Sequence, residues 1–439
     1  MTRSRLVALV LAPAVIVAAS YLLRPESAPD PADATLDPPA TVDDPDRDEL
    51  DRLIRLFSRR AAERGESLDH RTAGAVLLER ARLNAAVDDY DAAGDAFRAA
   101  LEIAPDDPEA LLGLGKAALG THEFSMASDA ADRLLAQEPS SADGLALAAD
   151  AALARGAYDK AADALDALAS PIDDDPAIAV RLSQLALVRS APAEARRHAA
   201  EAIRLAERQN LADRDLAFYE SFAGNQAYGL GEYDEATNLL ERAVDHAPTD
   251  HGALGELARV RAARGELDEA IELLERANAL VPEPDHLVLQ GDLRTIAGDD
   301  EGAEADYAKA VRIATRDADH KRAWARALAF YLLDHDGDLD QAREIVDREL
   351  AVRTDAGAWD LDAWAHYRAD ELAEARSSIE TALELSRYDA GIWYHAGVIS
   401  AALGDADRAV DELTRALDLN PGFDPLGSRH AHQLLDQLA

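Results

Sequence analysis

The chain has 439 residues, of which 48% are apolar and 30% are charged, and its formal net charge is −40. That apolar content is enough to bury a core and excludes a chain that is disordered throughout. So negative a field excludes nucleic acid as an expected partner because it repels phosphate backbones, and a sequence without cysteine excludes disulfides, thiolate chemistry and cysteine zinc sites.

The first predicted element is an export signal at residues 1–24. Arg3 and Arg5 precede an uncharged apolar stretch from Leu6 to Leu23, which is about long enough to cross a bilayer as a helix. Because basic flanks favour the cytoplasmic side, the sequence predicts that the rest of the chain lies outside the cytoplasm. Small residues at 18–20 suit a signal peptidase. A single-pass anchor in the cell membrane and a cleaved signal on a secreted protein therefore both stay open.

A spacer and a first amphipathic helix follow the signal. Residues 25–46 are rich in proline, aspartate, alanine and threonine, a composition that predicts a disordered, semi-rigid linker. In residues 47–73, Leu50, Leu53 and Phe57 recur at helical spacing. This region is expected to cap the folded part or to form a degenerate first repeat.

The dominant feature is an internal repeat of about 34 residues between residues 74 and 423. One alanine recurs in ten units, and short insertions near Gln209–Arg214 and Asp317–Arg322 account for the two longer spacings. The recurring alanines are Ala93, Ala127, Ala161, Ala195, Ala236, Ala270, Ala303, Ala342, Ala375 and Ala409.

Each unit has the pattern of a helical hairpin. An apolar first helix is followed by a small or turn-forming residue such as Gly231, Gly265 or Gly337, where the chain reverses. The recurring alanine then lets the second helix approach closely, and a proline such as Pro248 or Pro282 ends it. One hairpin cannot bury its apolar faces, whereas stacked hairpins can, so the pattern predicts an α-solenoid.

These residues resemble the tetratricopeptide repeat family. The resemblance includes the Leu114-Gly115 pair in a first helix, the Gly-x-Tyr turn and the terminal proline, together with unit-starting aromatics at Trp359 and Trp393, which it marks as structural. It implies an all-α, right-handed α-solenoid of about ten helical hairpins. The units at Pro176–Gln209 and Ala323–Ala356 depart most from the pattern. Residues 424–439 are expected to form a C-terminal capping helix.

The resemblance also implies that the first helices line a concave face where peptides bind. Aromatic residues, only 5% of the chain, concentrate between Phe218 and Tyr394, and aromatics with a polar handle are favoured anchors at interfaces. Packing between repeats is the alternative. The residues predicted to bind the partner are Phe218, Phe222, Asn225, Tyr228, Trp324, Tyr331, Trp364, Tyr367 and Tyr394.

Motifs for catalysis are missing from the sequence. It contains no phosphate-binding glycine loop, no Gly-x-Ser-x-Gly elbow and no His-Glu-x-x-His pair, so we predict no enzymatic activity, no cofactor and no metal. The aspartates of Asp334–Asp340 are similar to a calcium loop, but they coincide with a predicted turn and lack the glutamate that closes such a loop.

We therefore predict an exported or membrane-anchored scaffold that binds a protein or peptide partner in its concave groove and touches the membrane only through its N-terminal helix. Two alternatives stay open: an anchored assembly factor for cytochrome maturation or envelope complexes, and a calcium- or ligand-binding, non-catalytic subunit of an enzyme complex. The sequence leaves open the partner, the oligomeric state, and whether the acidity reflects a high-salt habitat or a basic ligand.

Overall fold

The computed structural model describes residues 47–84, 87–169, 174–318 and 323–438. Within these ranges the regular structure is entirely helical, as predicted. No helix in them is long and apolar enough to cross a membrane. The predicted signal or anchor (residues 1–24) and linker (residues 25–46) lie outside the described residues.

The described residues form 22 helices, which belong to two compact units that divide between Leu182 and Ser183. The helices that begin in the first unit are α1 (Arg47–Arg64), α2 (Ser67–Asn84), α3 (Val87–Ile103), α4 (Pro108–Gly120), α5 (Phe124–Gln137), α6 (Ala142–Ala154), α7 (Tyr158–Ala169) and α8 (Pro176–Val188). Those of the second unit are α9 (Pro192–Arg208), α10 (Asp213–Gly229), α11 (Tyr233–His246), α12 (His251–Ala263), α13 (Leu267–Leu280), α14 (Pro284–Ala297), α15 (Asp300–Ala318), α16 (Ala325–Asp334), α17 (Leu339–Leu350), α18 (Ala356–Arg368), α19 (Leu372–Leu385), α20 (Ala390–Ala402), α21 (Ala406–Leu419) and α22 (Pro425–Leu438).

The helices pair into antiparallel hairpins. In the first unit α2 packs on α3, α4 on α5 and α6 on α7, while α1 packs on α2 ahead of them. In the second unit the hairpins are α10–α11, α12–α13, α14–α15, α16–α17, α18–α19 and α20–α21. Successive hairpins also contact one another within each unit, so the apolar faces are buried between neighbours.

The recurring alanines lie in the second helices of the hairpins, where the repeat predicted close approach. Ala303 is 3% exposed and the other nine are fully buried. Gly115 of the family's Leu-Gly pair is small for a similar reason. A β-carbon there would lie 2.3 Å from Leu147 Cδ2 of the next hairpin. A larger side chain at these positions would overpack the contact between neighbouring helices.

The turns between paired helices require one residue in the left-handed region. At the predicted turns of Gly231 and Gly265 the glycine takes this conformation, with φ of 73° and 80°. The chain also reverses at Gly337, but there its neighbour Asp336 takes the left-handed conformation, with φ of 53°. Aspartate tolerates this region better than most residues, so the hairpin closes without a glycine at the turn position.

The two repeats that depart most from the family pattern, Pro176–Gln209 and Ala323–Ala356, contain buried ion pairs. The fully buried Arg181 of α8 donates from Nε and Nη2 to the carboxylate of Asp150 in α6, at 2.8 and 2.7 Å. In the second unit the short helix α16 is tied to Asp355, the residue before α18, through Arg326 at 3.2 Å. These polar contacts hold helices together where the small residues and the terminal proline of the repeat are missing.

Candidate functional site

The first helices of the second unit form one continuous surface. Each of α10, α12, α14, α16, α18 and α20 contacts the next member of this series. We call the face that they share the first-helix surface. All nine residues predicted to bind a partner belong to this unit, and all except Trp324, which immediately precedes α16, lie on these helices.

The C-terminal segment covers part of this surface. Helix α22 packs against α21, as expected for a cap, but also against α20 and against α14, which belongs to a hairpin three places earlier. The predicted capping helix therefore extends well beyond the last hairpin. It lies across first helices that are distant in the sequence.

Residues 420–423 fasten this segment to the turn of the α10–α11 hairpin. The Tyr228 hydroxyl donates to the carbonyl oxygens of Gly422 and Phe423, at 2.9 and 3.0 Å. The Tyr233 hydroxyl donates to Asn420 Oδ1 at 2.5 Å, and Asn420 Nδ2 donates to the Tyr228 carbonyl at 2.8 Å. Asn420 is only 2% exposed. Tyr228, predicted to bind a partner, thus binds the chain's own C-terminal segment.

An aromatic group on α18 and α20 lies beside this segment. The Trp364 ring stacks on Tyr367 and on His395, with centroids 4.7 and 4.2 Å apart, and lies 6.3 Å from Tyr394. Tyr394 in turn contacts Phe423 at 5.3 Å. Three predicted residues therefore meet directly. We call this set the C-terminal aromatic group.

A second aromatic group lies on α14, α15 and α16. Tyr331 contacts Tyr307 and His335, with ring centroids 5.6 and 4.8 Å apart. The Tyr307 hydroxyl donates to the buried carboxylate of Asp292 at 2.7 Å. Beside this group is a cavity of about 270 Å³. Its lining residues are Thr295, Asp300, Ala303, Glu304, Tyr307, Ala308 and Tyr331.

The remaining predicted residues are not brought into either group. Phe218 is buried and packs edge-on against Tyr219, at a centroid distance of 5.1 Å. Phe222 and Asn225 are half-buried on α10, and Trp324 is buried before α16. Accessible aromatic surface is therefore concentrated at a few residues of this helix series rather than spread evenly along it.

Burial and neighbouring carboxylates shift the pKa values of several groups near the two aromatic groups. Burial, with Asp424 nearby, raises the pKa of Asp292 from 3.8 to about 8. Partial removal of its carboxylate from water, with Asp424 and Asp360 nearby, raises the pKa of Asp334 from 3.8 to about 6, although part of the residue is exposed. Burial alone would lower the pKa of His395, but Asp360, 2.8 Å away, raises it above its ordinary value. The surface therefore combines aromatic rings with acidic groups.

The acidic turn considered for calcium directs its carboxylates to separate partners. Asp334 accepts from Trp364 Nε1 at 2.8 Å, Asp336 pairs with Arg368, and Asp338 caps α17 by accepting from the backbone of Gln341. Within the described ranges no group of three or more histidines and carboxylates is arranged to hold a metal ion. These carboxylates do not converge on one cation.

Residues missed by the sequence analysis complete both groups: Tyr307, His335, His395, Phe423 and His430. The other residues were selected as binding candidates on the first helices of the repeats. None of these five was part of that selection. The low aromatic content of the chain was an available signal for Tyr307, which lies between Phe218 and Tyr394 where the other aromatics concentrate. Phe423 enters the site because the chain turns back after α21, which no local pattern predicts.

Comparisons with known proteins agree with the helical repeat. Family models described as tetratricopeptide repeat match residues 85–151, 227–293 and 362–422. A search of curated proteins found no match. Similar solved structures include yeast Tom70 (13% identity, 89% of this chain and 93% of that chain, TM-score 0.38) and the human IFIT1 dimer with PPP-AAAA (15%, 85% and 95%, 0.44). Another is Pseudomonas aeruginosa PilF (15%, 47% and 91%, 0.39). TM-scores this low carry no argument for a shared function.

Proposed function

Because this chain is a tetratricopeptide repeat protein, we propose that it is a non-catalytic adaptor that holds a protein or peptide partner on the first-helix surface of its second unit. Such a scaffold acts by preformed complementarity, since rigid stacked helices present contacts without a cost of ordering them first. The half-buried Phe222, Tyr331 and Tyr367 supply aromatic anchors of the type that dominates binding energy at interfaces.

The observation that carries this proposal is the cavity beside Tyr331, which lies at the edge of this surface, where the first helices α14 and α16 meet the second helix α15. Two tyrosine rings form one wall, and Asp300 and Glu304 of α15 line the cavity with exposed carboxylates. Among the described residues no basic side chain pairs with either carboxylate, whereas many other acids of the chain pair with arginine. A cationic side chain is attracted both by ring faces and by carboxylates. We therefore assign the cavity to a lysine or arginine of the partner.

We further propose that the adaptor works outside the cytoplasm, held to the membrane by its N-terminal segment or released from it. The support for this location is sequence alone: Arg3 and Arg5 ahead of the apolar stretch, followed by a proline-rich spacer. Fractionation of cells that express the full chain tests the location. Recovery of the protein only in the cytoplasmic fraction would contradict it.

Crosslinking in cells tests the adaptor function. We compare the intact chain with a Phe222→Ala, Tyr331→Ala, Tyr367→Ala variant after circular dichroism shows equal helicity. Tyr388→Ala is the matched control, because Tyr388 is a half-buried tyrosine before α20 that contacts Arg415 and belongs to neither aromatic group. Partners lost from the triple variant and kept by the control support the adaptor. Identical partners for all three proteins would remove the first-helix surface as the binding site.

A further inference from the structure

Helix α22 rests on the first-helix surface through a narrow face. Only Gly427, Ser428 and Ala431 are buried on it, and the spacing of these residues places them on one side of the helix. His430 is exposed but accepts or donates one hydrogen bond with the Tyr394 hydroxyl, at 2.8 Å to Nδ1. No large apolar side chain of α22 is fully buried. The helix therefore covers the surface with little packing energy.

The turn before α22 is held much more firmly. Tyr228 and Tyr233 bond to both the side chain and the backbone of residues 420–423. Gly422 fits so closely that a β-carbon there would lie 2.6 Å from the Ala263 side chain. Asp424 then caps α22 by accepting from the backbone nitrogens of Leu426 and Gly427, at 3.0 and 2.5 Å. A fixed turn thus joins the array to a lightly held helix.

An acidic residue, Asp424, lies at the end of the fastened turn, directly before α22. After burial, Asp424 is one of the causes that raise the pKa of both Asp292 and Asp334, so acidic groups cluster beside the surface that α22 covers. Helix α22 offers them little compensation, since its three bases are exposed and the one that contacts the surface, His430, bonds to the Tyr394 hydroxyl rather than to a carboxylate. A helix that placed a lysine or arginine toward Asp334 would gain an attraction that α22 lacks.

Resting on the adaptor function proposed above, we infer that α22 is an internal occupant of the first-helix surface that the partner displaces. The partner is a basic helix, which takes the place of α22 against α14 and α20 while residues 420–423 stay bound to Tyr228 and Tyr233. The acidic residues beside the surface and the light seating of α22 together favour such an exchange. The fastened turn keeps α22 close enough to return when the partner leaves.

Hydrogen exchange on the full chain tests the seating of α22. In His430→Ala the bond to Tyr394 is lost, and loss of one such bond is expected to raise exchange of the α22 amides about fivefold. His432→Ala is the matched control, because His432 is exposed on the same helix and shares the helical backbone. A second variant, Ala431→Glu, forces α22 off by putting charge and bulk at a fully buried position. Equal α22 exchange in all variants and the intact chain would overturn the inference.

Two synthetic peptides then test the exchange of occupants. One carries residues 424–438, and the other is the same helix with lysines in place of His430 and Gln433. We expect both to bind Ala431→Glu more tightly than the intact chain, by about tenfold or more, with the lysine peptide the tighter of the two. Absence of binding to Ala431→Glu, or equal binding by both peptides, would overturn the inference. If Ala431→Glu exposes the surface yet cellular partners still depend on Phe222, Tyr331 and Tyr367 and not on α22, the adaptor stands and displacement fails.

Discussion

Replacing Asp355 by alanine is expected to lower the free energy of unfolding of the second unit by about 3 to 5 kcal/mol. The carboxylate accepts from Arg326 Nη1 and Nη2, at 3.2 and 3.3 Å, and from Arg353 Nε at 2.5 Å. These side chains are between 10% and 13% exposed, so the variant leaves two guanidinium groups poorly solvated with Glu349 as the remaining shared carboxylate. Asp355 also caps α18 through the backbone nitrogen of Ala358, at 3.1 Å.

The Asp338→Ala variant separates the contribution of the ion network to stability from the contribution of the helix cap. Asp338 caps the neighbouring helix α17 by accepting from Gln341 at 3.0 Å, but it is exposed. Loss of such a cap alone costs about 1 kcal/mol. The difference between the two variants, about 2 to 4 kcal/mol, therefore measures the buried network.

Tryptophan fluorescence during urea unfolding is the assay. All four tryptophans, Trp324, Trp359, Trp364 and Trp393, lie in the second unit, so their signal follows that unit even if the two units unfold separately. Equal midpoints for the Asp355 and Asp338 variants would refute the reasoning, because the network would then contribute nothing beyond a cap.

The pH dependence of the same transition provides an independent check. Burial alone would raise the pKa of Asp355, but Arg326 and Arg353 outweigh it and hold the pKa below its ordinary value. The unfolded chain therefore takes up this proton at a higher pH than the folded chain does. The stability from Asp355 is present above about pH 4 and is lost as the pH falls further, and the alanine variant should lack this loss.

Three further predictions follow from single features. Gly231→Ala should cost at least 1 kcal/mol more than Gly265→Ala in the fluorescence assay, because both have a positive φ but only at Gly231 would a β-carbon meet a backbone oxygen at 2.6 Å. The raised pKa of Asp292 makes the folded chain retain a proton that the unfolded chain releases, so the free energy of unfolding should fall as the pH rises from about 4 to 8. Asp292→Asn should reduce this fall, and an unchanged pH profile would contradict the prediction. Asp300→Asn with Glu304→Gln should weaken partner capture and reduce its salt dependence, and equal capture at all salt concentrations would exclude a basic side chain in the cavity.

The helical hairpins were predictable because their causes are local. A small residue where two helices touch, a residue that tolerates a positive φ at the turn and a proline at the end each act within one unit, so Ala236 and Gly231 could be interpreted from spacing alone. The turn at Asp336 could not be predicted in the same way. Aspartate and glycine both tolerate a positive φ, and where they are neighbours, packing decides which of them adopts it. Gly337 is instead close to Leu332.

The site was less predictable because its contacts join residues far apart in the sequence. Tyr228 and Gly422 meet only after six successive hairpins have each added a rotation, and no single repeat contains that information. The sequence identified Trp364, Tyr367 and Tyr394 as aromatics on first helices, and they do meet. Their neighbour Phe423 belongs to the segment after the array, so its arrival depends on the accumulated curvature of the second unit.

The irregular hairpin α16–α17 links the fold to the proposed binding chemistry. In a regular repeat, a first helix of ordinary length would follow α15. Here α16 has only 10 residues and begins after an insertion. The cavity lies where α15 and this short helix meet, with Tyr307 contributed by one and Tyr331 by the other. The buried network of Arg326 and Asp355 stabilises the same hairpin from its other end. The cavity therefore adjoins the irregular hairpin, and the ion network stabilises that hairpin where the small residues and the terminal proline of the repeat are missing.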